Sequence, residues 1–223
     1  MNKRLTKLVE VWIASGSPQQ EAFNWTSSRD NWIKYFPEES RFISSLPDEI
    51  GREEVRRVCD SRKSSIREKF LTAMIWGYGD RGYGPYRVSK MLAQEFADET
   101  LAQVYSIAQN KKPKVAYEYL KENRIKNLGP SYGSKFITFS TPRDISAPIY
   151  DSFIALWIAQ NAKNELPSFS SAALRWNTQT YSEYCDWIED HSKKFECFSD
   201  DIELVLFRDA EQLYSRKSNW SGK

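Results

Sequence analysis

The chain has 223 residues, of which 40% are hydrophobic and 28% charged, and this suits one large globular domain or two small lobes. A net charge of +2 permits nucleic-acid binding only through a local basic patch. A single histidine excludes a multi-histidine zinc site, and three distant cysteines exclude a metal-binding or disulfide framework, so we expect a reducing, cytosolic protein without metal or cofactor.

The first part of the chain is predicted to be helical almost throughout. Apolar residues at helical spacing within residues 5–12 predict an amphipathic helix rather than a signal peptide. Ser28 is expected to cap a second helix, a charged helix follows over about residues 48–62, and residues 66–75 form a more apolar one. Four glycines in GYGDRGYG (77–84) then interrupt the pattern.

Helices resume after this glycine-rich segment. Pro85 and Pro113 each suit the first turn of a helix, and Asp98 is expected to cap the helix between them. A Ser-rich loop, SFSSAA, follows Pro167 and precedes two further predicted helices. His191, in the second half of the chain, lies in the polar segment EDHSKK and is expected on the surface.

These patterns together predict an all-α fold of about ten to twelve helices, arranged as a single two-lobed domain over residues 1–223. No alternating strand pair is evident. The longest apolar run, residues 153–159, is too short to span a membrane, so we expect no contact with a membrane. We also expect the protein to be a monomer.

Residues 113–140 indicate a helix-hairpin-helix motif with NLGPSYGSKF at its turn, placed near the junction of the lobes. Gly129 is expected to adopt a positive φ, and Pro130 fits the first position of the second helix. The N–H groups that follow would lack helix partners, and such a helix start attracts a phosphate. The residues expected to contact DNA are Lys126, Asn127, Gly129, Ser131 and Tyr132.

A further helix is predicted over about residues 146–163. Ser146 is its expected cap, and Asp151 falls within or just after its first turn. When an N-glycosidic bond breaks, positive charge develops on the sugar, and a fixed carboxylate can stabilise that charge or activate a water molecule. The alternative is that Asp151 only stabilises its own helix.

The stretch 124–158 resembles the helix-hairpin-helix/Gly-Pro-Asp superfamily of DNA glycosylases, in its 8-oxoguanine-glycosylase-like branch. Members carry an L-x-G-[IV]-G-type hairpin, and Leu128-Gly129-Pro130 occupies the end of that motif. They also carry a proline-containing loop before an essential aspartate, which Ala147-Pro148-Ile149-Tyr150-Asp151 matches. The segments IWGYGDRGYGPYRVSKML (75–92) and DIELVLF (201–207) are similar to those of small bacterial proteins in this branch.

The resemblance implies two all-α lobes with double-stranded DNA across their cleft, a nucleoid-associated protein, and Asp151 as the catalytic residue. In bifunctional members a lysine two residues after the last hairpin glycine attacks the sugar, and that position is Ser131 here. Lys135 lies one helical turn further along the same face and is the candidate nucleophile. If Lys135 only binds a phosphate or faces water, the enzyme is monofunctional and leaves an abasic site.

A base in duplex DNA must be flipped out to be reached, and it is often held between aromatic side chains. Aromatic residues near the glycine-rich segment and before the catalytic aspartate could form such a pocket, or each could pack in the core. The base-pocket candidates are Trp76, Tyr83, Tyr86 and Tyr150. A basic run is expected to form a solvated face or, alternatively, to line the DNA cleft. It comprises Arg56, Arg57, Arg62, Lys63, Arg67 and Lys69.

The leading prediction is a DNA glycosylase that excises an 8-oxoguanine-like purine lesion or a hypermodified phage base, with lyase activity left open. The rival prediction is a non-enzymatic helix-hairpin-helix DNA-binding subunit of a repair or phage-defence assembly. A third alternative is an all-α interaction protein whose hairpin only packs. The sequence does not select between the bases.

Overall fold

The computed structural model describes residues 2–169 and 174–214, and most of the predicted loop SFSSAA and the polar tail lie outside the described residues. Within them the fold is all-α, as predicted, with one two-residue strand pair that the sequence does not predict. No helix in this part of the chain is long and apolar enough to cross a membrane. In chain order the elements are α1 (Lys3–Ala14), β1 (Phe23–Asn24), α2 (Thr26–Tyr35), α3 (Ser40–Ser45), β2 (Glu49–Ile50), α4 (Arg52–Asp60), α5 (Ile66–Tyr78), α6 (Gly84–Leu92), α7 (Ala97–Gln109), α8 (Pro113–Glu122), α9 (Pro130–Ser140), α10 (Ser152–Asn161), α11 (Thr178–Phe195) and α12 (Ser199–Tyr214).

The chain divides into two compact units. Unit 1 combines Met1–Gln19 with Arg143–Lys223 and contains α1, α10, α11 and α12. Unit 2 is the continuous stretch Gln20–Pro142 and contains both strands and the helices from α2 to α9. The first helix of the chain therefore belongs to a unit whose other helices come from the opposite end.

Two buried helices, α5 and α9, form the centre of unit 2. All residues from 69 to 76 of α5 and from 133 to 140 of α9 are buried. A helix that is apolar on every side needs neighbours on every side, and α5 packs against α4, α6, α7 and α9. The rings of Phe70 and Phe136 meet edge to face at 5.3 Å and join the two central helices.

Only three of the six cations in the basic run, Arg57, Arg62 and Lys63, are exposed as the expected solvated face requires. Arg56 is buried, donates to the carbonyl of Thr141 and lies over an aromatic ring of α9. Arg67 forms ion pairs with Asp98 at 2.9 Å and with Glu39 at 3.3 Å. Much of this positive charge is therefore used inside unit 2 rather than left for a partner.

Lys69, the last of these cations, lies on α5 and caps the end of α4. Its ammonium donates hydrogen bonds to the carbonyl oxygens of Val58, Cys59 and Ser61. Tyr105 donates to the same Cys59 carbonyl at 2.9 Å. The last carbonyls of a helix have no partner within the helix, and the helix dipole favours a cation beside them. Burial lowers the pKa of Lys69.

Several helices of unit 2 start at other residues than the sequence predicts. Helix α2 follows Trp25 directly, so Ser28 lies inside the first turn, where its hydroxyl donates to the Trp25 carbonyl. Helix α4 begins only at residue 52 because residues 49–50 pair with β1. Asp98 lies in the first turn of α7 rather than at its cap, where a negative charge still suits the helix dipole.

In unit 1, the helices α1, α10 and α11 all pack on α12. Leu5 and Val9 are fully buried on the apolar face of α1. At the edge of this interface, Arg4 donates two hydrogen bonds to the carboxylate of Asp209, at 2.9 and 3.0 Å. Arg208 donates to two backbone carbonyls just after α1. These contacts hold the start of the chain onto its last described helix.

His191, on α11 of unit 1, is buried, and the expectation of a surface position is wrong. It is 1% exposed, and its ring packs 4.5 Å from that of Trp187. Nδ1 lies 2.7 Å from the Trp187 carbonyl and therefore carries the proton, which it donates to that oxygen. Nε2 has no hydrogen-bond partner in the described residues. Burial lowers the pKa of His191, so the ring is neutral at neutral pH.

Candidate functional site

The turn between α8 and α9 has its left-handed residue at Asn127 and not at Gly129. Asn127 has a φ of 72°, a conformation that asparagine tolerates better than most residues. Gly129 has a φ of −90° and a ψ of 173°, which is extended backbone open to any residue. The predicted positive φ at Gly129 is therefore wrong, and the value of glycine at this position lies in the space around it.

Gly129 leaves open space at the start of α9. A Cβ atom built on Gly129 would meet no protein atom within 4 Å. As the N-cap, Gly129 has no side chain to bond the helix, and the N–H groups of Ser131 and Tyr132 have no acceptor among the described residues. The dipole of this helix also directs its positive end there. Unobstructed N–H groups at such an end suit the oxygen atoms of a phosphate.

The turn that leads into α9 is held by Gln94, which no feature of the sequence singles out. The side-chain nitrogen of Gln94 donates to the Lys126 carbonyl at 3.2 Å, and its oxygen accepts the Lys126 N–H at 2.9 Å. The side chains of Lys126 and Asn127 remain exposed. The two contacting residues are 32 positions apart, so no local pattern could have revealed this support.

Lys135 lies in a slot between α9 and α5, which we name the lysine slot and which comprises Gly77, Ser131, Tyr132 and Lys135. Lys135 is 9% exposed, and its Nζ lies 3.1 Å from Ser131 Oγ and 5.5 Å from the centre of the Tyr132 ring. A Cβ atom on Gly77 would lie 3.0 Å from Lys135 Cδ and 3.3 Å from the Tyr132 ring. Glycine at position 77 therefore makes the room that the lysine stem occupies.

Two stacked tyrosines form one side of the lysine slot. The rings of Tyr78 and Tyr132 lie 4.2 Å apart and within 15° of parallel. Burial raises the pKa of both hydroxyl groups, so both remain protonated at neutral pH. Tyr132 thus offers its N–H at the helix start and its ring to the slot.

Asp151 is the N-cap of α10, so this helix starts at Ser152 and not near the predicted cap, Ser146. One carboxylate oxygen of Asp151, Oδ1, accepts the N–H of Ile154 at 3.0 Å. The other, Oδ2, makes no hydrogen bond within residues 2–169 and 174–214, and the residue is partly exposed. The helix therefore fixes the orientation of the carboxylate and leaves one oxygen available for chemistry.

Helix α11 supports the loop that precedes Asp151. Ser146 does not cap a helix, and its hydroxyl instead donates to the Cys185 carbonyl of α11 at 2.9 Å. The Tyr184 hydroxyl of α11 in turn donates to the Ile149 carbonyl of the loop, at 3.2 Å. Residues 146–150 of this loop are all buried, although they are not helical. Hydrogen bonds within unit 1 therefore hold in place the backbone that leads to Asp151.

The four base-pocket candidates have different surroundings. In unit 2, Trp76 is 8% exposed and meets Phe139 edge to face at 5.0 Å, whereas Tyr83 and Tyr86 are 48% and 51% exposed. In unit 1, Tyr150 is buried among other aromatic rings, and this burial raises its pKa to about 12. Trp76 and Tyr150 therefore pack within their own units, and of the four only Tyr83 and Tyr86 present accessible rings.

The described residues contain no candidate metal site, and two of the three cysteines have thiols that burial makes unreactive. No group of three or more histidine, cysteine, aspartate or glutamate side chains among them could hold a metal ion. The three cysteines are free, and burial raises the pKa of Cys59 to about 12 and that of Cys197 to about 11. Both thiols are therefore protonated at neutral pH and are poor nucleophiles.

Comparison with known proteins gives one match. A family model described as "Putative 8-oxoguanine DNA glycosylase OGG-like protein" matches residues 16–207. The matched region includes the hairpin, the lysine slot and Asp151, and it extends well beyond the motif at residues 124–158. No curated protein and no solved structure matches the chain.

Proposed function

The chain belongs to the 8-oxoguanine DNA glycosylase OGG-like family, and on this premise we propose that it is a DNA glycosylase that removes a damaged or modified base from double-stranded DNA. The observation that carries the proposal is the carboxylate of Asp151, which is fixed at a helix start through Oδ1 while Oδ2 is unengaged by described residues. Breaking an N-glycosidic bond calls for a fixed anion of this kind because the sugar becomes positively charged.

In the proposed reaction, the bond between the sugar C1′ and the base nitrogen breaks, and the base leaves with the bonding electrons. Asp151 Oδ2 stabilises the positive charge on the sugar. A water molecule attacks C1′ and gives a proton to the same carboxylate, and that proton then passes to the departed base, which restores the ionised carboxylate. The products are the free base and an abasic site, and water is the only co-reactant.

Unit 2 supports DNA binding through its hairpin. The N–H groups of Ser131 and Tyr132 at the start of α9 would donate hydrogen bonds to a phosphate, with the exposed Lys126 and Asn127 beside them. Contacts of this type position DNA without reading its sequence. They explain how the protein would hold any duplex, and they leave the choice of base to other residues.

The role of Asp151 is tested with Asp151→Asn. Asparagine is an equally good N-cap and can still accept the Ile154 N–H, so the variant should fold. We expect single-turnover base release to fall by about 100-fold or more while duplex binding is retained. Base release is measured by mass spectrometry on a panel of duplexes that each carry one modified base, including 8-oxoguanine and hypermodified phage bases. Release at the wild-type rate would disprove the mechanism.

The lysine slot supports a second part of the proposal, that Lys135 is the nucleophile of a bifunctional enzyme. Counted from Gly133, inside α9, Lys135 has the two-residue spacing of the bifunctional family members, whereas the same count from Gly129 ends at Ser131. Attack of the Lys135 amine on C1′ would expel the base and lead to a Schiff base, which borohydride reduces to a stable protein–DNA link. Borohydride trapping of DNA by the wild type that is lost in Lys135→Gln supports this role. Base release by the wild type without any trapping indicates a monofunctional enzyme.

The rival function is a non-enzymatic DNA-binding subunit of a repair or phage-defence assembly. It is favoured by the same open helix start, which needs no contribution from Asp151. This rival predicts salt-dependent binding of every duplex in the panel and no base release from any of them. The panel also separates an 8-oxoguanine-like purine from a hypermodified phage base as the substrate.

A further inference from the structure

One face of α6 carries a tyrosine and two cations but no acid. The helix has the sequence GPYRVSKML, which contains no aspartate or glutamate. Its apolar side, with Val88 and Met91, is fully buried in unit 2. The opposite side exposes Tyr86, Arg87 and Lys90. The helix is thus sharply two-sided, and its exposed side is not the mixed-charge surface that a solvated helix usually has.

The exposed aromatic rings of this region lie close together. Tyr83 immediately precedes α6 and is 48% exposed, and Tyr86 is 51% exposed. Residues three apart on a helix are neighbours, with Cβ atoms about 5–6 Å apart. Tyr35, at the end of α2, is 36% exposed and meets Tyr86 at a ring distance of 6.1 Å. Tyr35 and Tyr86 therefore remain accessible as a pair, and Tyr83, whose ring meets that of Tyr78 edge to face at 5.7 Å, remains accessible just before α6, although burying these rings would be favourable.

Cations alternate with these rings and are not neutralised by nearby acids. The Arg87 guanidinium lies 5.9 Å from the Tyr83 ring centre, and the Lys90 ammonium lies 5.5 Å from that of Tyr86. Lys34 is exposed beside Tyr35. Within the part of the chain that the structure describes, none of the three cations forms an ion pair. Their positive charge is available to an external anion.

The same face borders an open groove of about 410 Å³, which is lined in part by Lys34, Lys90 and Arg67. Glu38 and Glu39 also line it, and Arg67 offsets Glu39 through an ion pair at 3.3 Å. Arg67 also pairs with Asp98 at 2.9 Å, so the positive charge of the groove that no ion pair takes up is that of Lys34 and Lys90. A chain with a negative backbone could lie along it while its flat groups rest on the neighbouring rings.

We propose that this surface binds a single strand of nucleic acid, and we name it the α6 strip: Lys34, Tyr35, Tyr83, Tyr86, Arg87 and Lys90. Exposed aromatic rings interleaved with unpaired cations suit bases that stack and phosphates that follow a positive track. The base faces in a duplex are stacked on one another and hidden, so the strip favours an unpaired strand. This binding goes beyond base excision and does not need Asp151 or Lys135.

The proposal is tested with the full chain and a fluorescein-labelled oligothymidylate of about 12 nucleotides, by fluorescence anisotropy. Tyr86→Ala and Tyr35→Ala should each weaken binding by about fivefold to a hundredfold, because each removes a stacking surface. Tyr86→Phe keeps the ring and should bind like the wild type. Lys90→Gln should also lower the slope of log affinity against log salt by about 0.7.

The matched control is Phe96→Ala, which removes another exposed aromatic ring of unit 2, 46% exposed, outside the strip. Its affinity should equal that of the wild type. The proposal is overturned if Phe96→Ala and Tyr86→Ala weaken binding equally, if Tyr86→Ala binds like the wild type, or if an unlabelled duplex of the same length competes as well as the single strand. Asp151→Asn should bind the oligothymidylate normally, so failure of the glycosylase proposal and failure of this one are separately visible.

Discussion

His191, the one histidine of the chain, should make the stability of unit 1 depend on pH. Its folded-state pKa lies below the ordinary value of about 6.5 because the ring is buried, so the unfolded chain binds the proton more tightly. The stabilisation is complete above about pH 6.5 and is lost as the pH falls from there towards the folded pKa. We expect the free energy of unfolding to fall by at most about 1.4 kcal/mol per pH unit in this window.

The comparison for this prediction is His191→Asn, studied by urea unfolding between about pH 7.5 and 5.5. Glu165, which accepts the Trp187 indole N–H at 2.8 Å, is present in both proteins, so only the difference between them is assigned to the histidine. The prediction would be contradicted if the free energy of unfolding had the same pH dependence in the wild type and in His191→Asn.

Gly129→Ala should separate DNA binding from folding. Alanine can adopt the extended backbone of this residue, and its methyl group meets no protein atom within 4 Å, so the melting temperature should not fall. The methyl group would, however, stand in the space through which a phosphate approaches the N–H groups of α9. We expect duplex affinity to fall by about tenfold, measured by anisotropy. An unchanged affinity would show that phosphate binds elsewhere.

Single residues show where sequence reasoning succeeds and where it stops. The spacing of Ser131 and Lys135 predicts their shared helical face, and their side chains are in contact at 3.1 Å. Ser146 and Asp151 are both good capping residues, and the local sequence does not choose between them. The choice depends on the Cys185 carbonyl, 39 positions away, which takes up the Ser146 hydroxyl. Such distant partners have no local signature.

At the scale of elements, the packing of α5 on α9 depends on Gly77, and Gly77→Ala should disturb Lys135. Alanine favours the helix by about 1 kcal/mol, so α5 should form as before. The new methyl group would lie 3.0 Å from Lys135 Cδ and force the lysine stem to move. We expect borohydride trapping to fall by about 10- to 100-fold and labelling of Lys135 by an amine-reactive reagent to increase.

The control for this prediction is Gly82→Ala, in the loop after α5, because a Cβ atom there meets nothing within 4 Å. Equal labelling of Lys135 in Gly77→Ala and Gly82→Ala would show that the lysine slot does not position Lys135. The labelling measurement needs no DNA and remains valid whether or not Lys135 is a nucleophile.

Long elements were predictable from the sequence because their patterns are strong. The apolar residues of α5 and α9 indicate buried helices, and both are the centre of unit 2. The two-residue pairing of Phe23 with Ile50 was not predictable, since a strand of that length carries no alternation. The basic run was predicted only in part for a related reason: Arg57, Arg62 and Lys63 are exposed, but Lys69 and Arg56 bond to backbone carbonyls that only the folded chain brings near.

At the scale of the whole molecule, the division into units predicts which part of the chain folds alone. Unit 2 is continuous, and its core around α5 and α9 is complete within residues 20–142. We expect a polypeptide of these residues to unfold cooperatively on heating, as followed by circular dichroism. A polypeptide of residues 143–223 lacks α1, which buries Leu5 and Val9 in unit 1, and it should show no cooperative transition. The opposite pattern would contradict the division.

The split origin of unit 1 also sets the order in which the protein is completed on the ribosome. Helix α1 emerges first, but α12, on which it packs, begins only at residue 199. At about 5–20 residues per second, roughly 10–40 s separate the synthesis of the two helices. During that interval the apolar face of α1 has no α12 to cover it, while unit 2 can already fold. Helix α1 is therefore made long before the helix on which it docks, and a growing chain exposes its apolar face until α12 has been synthesised.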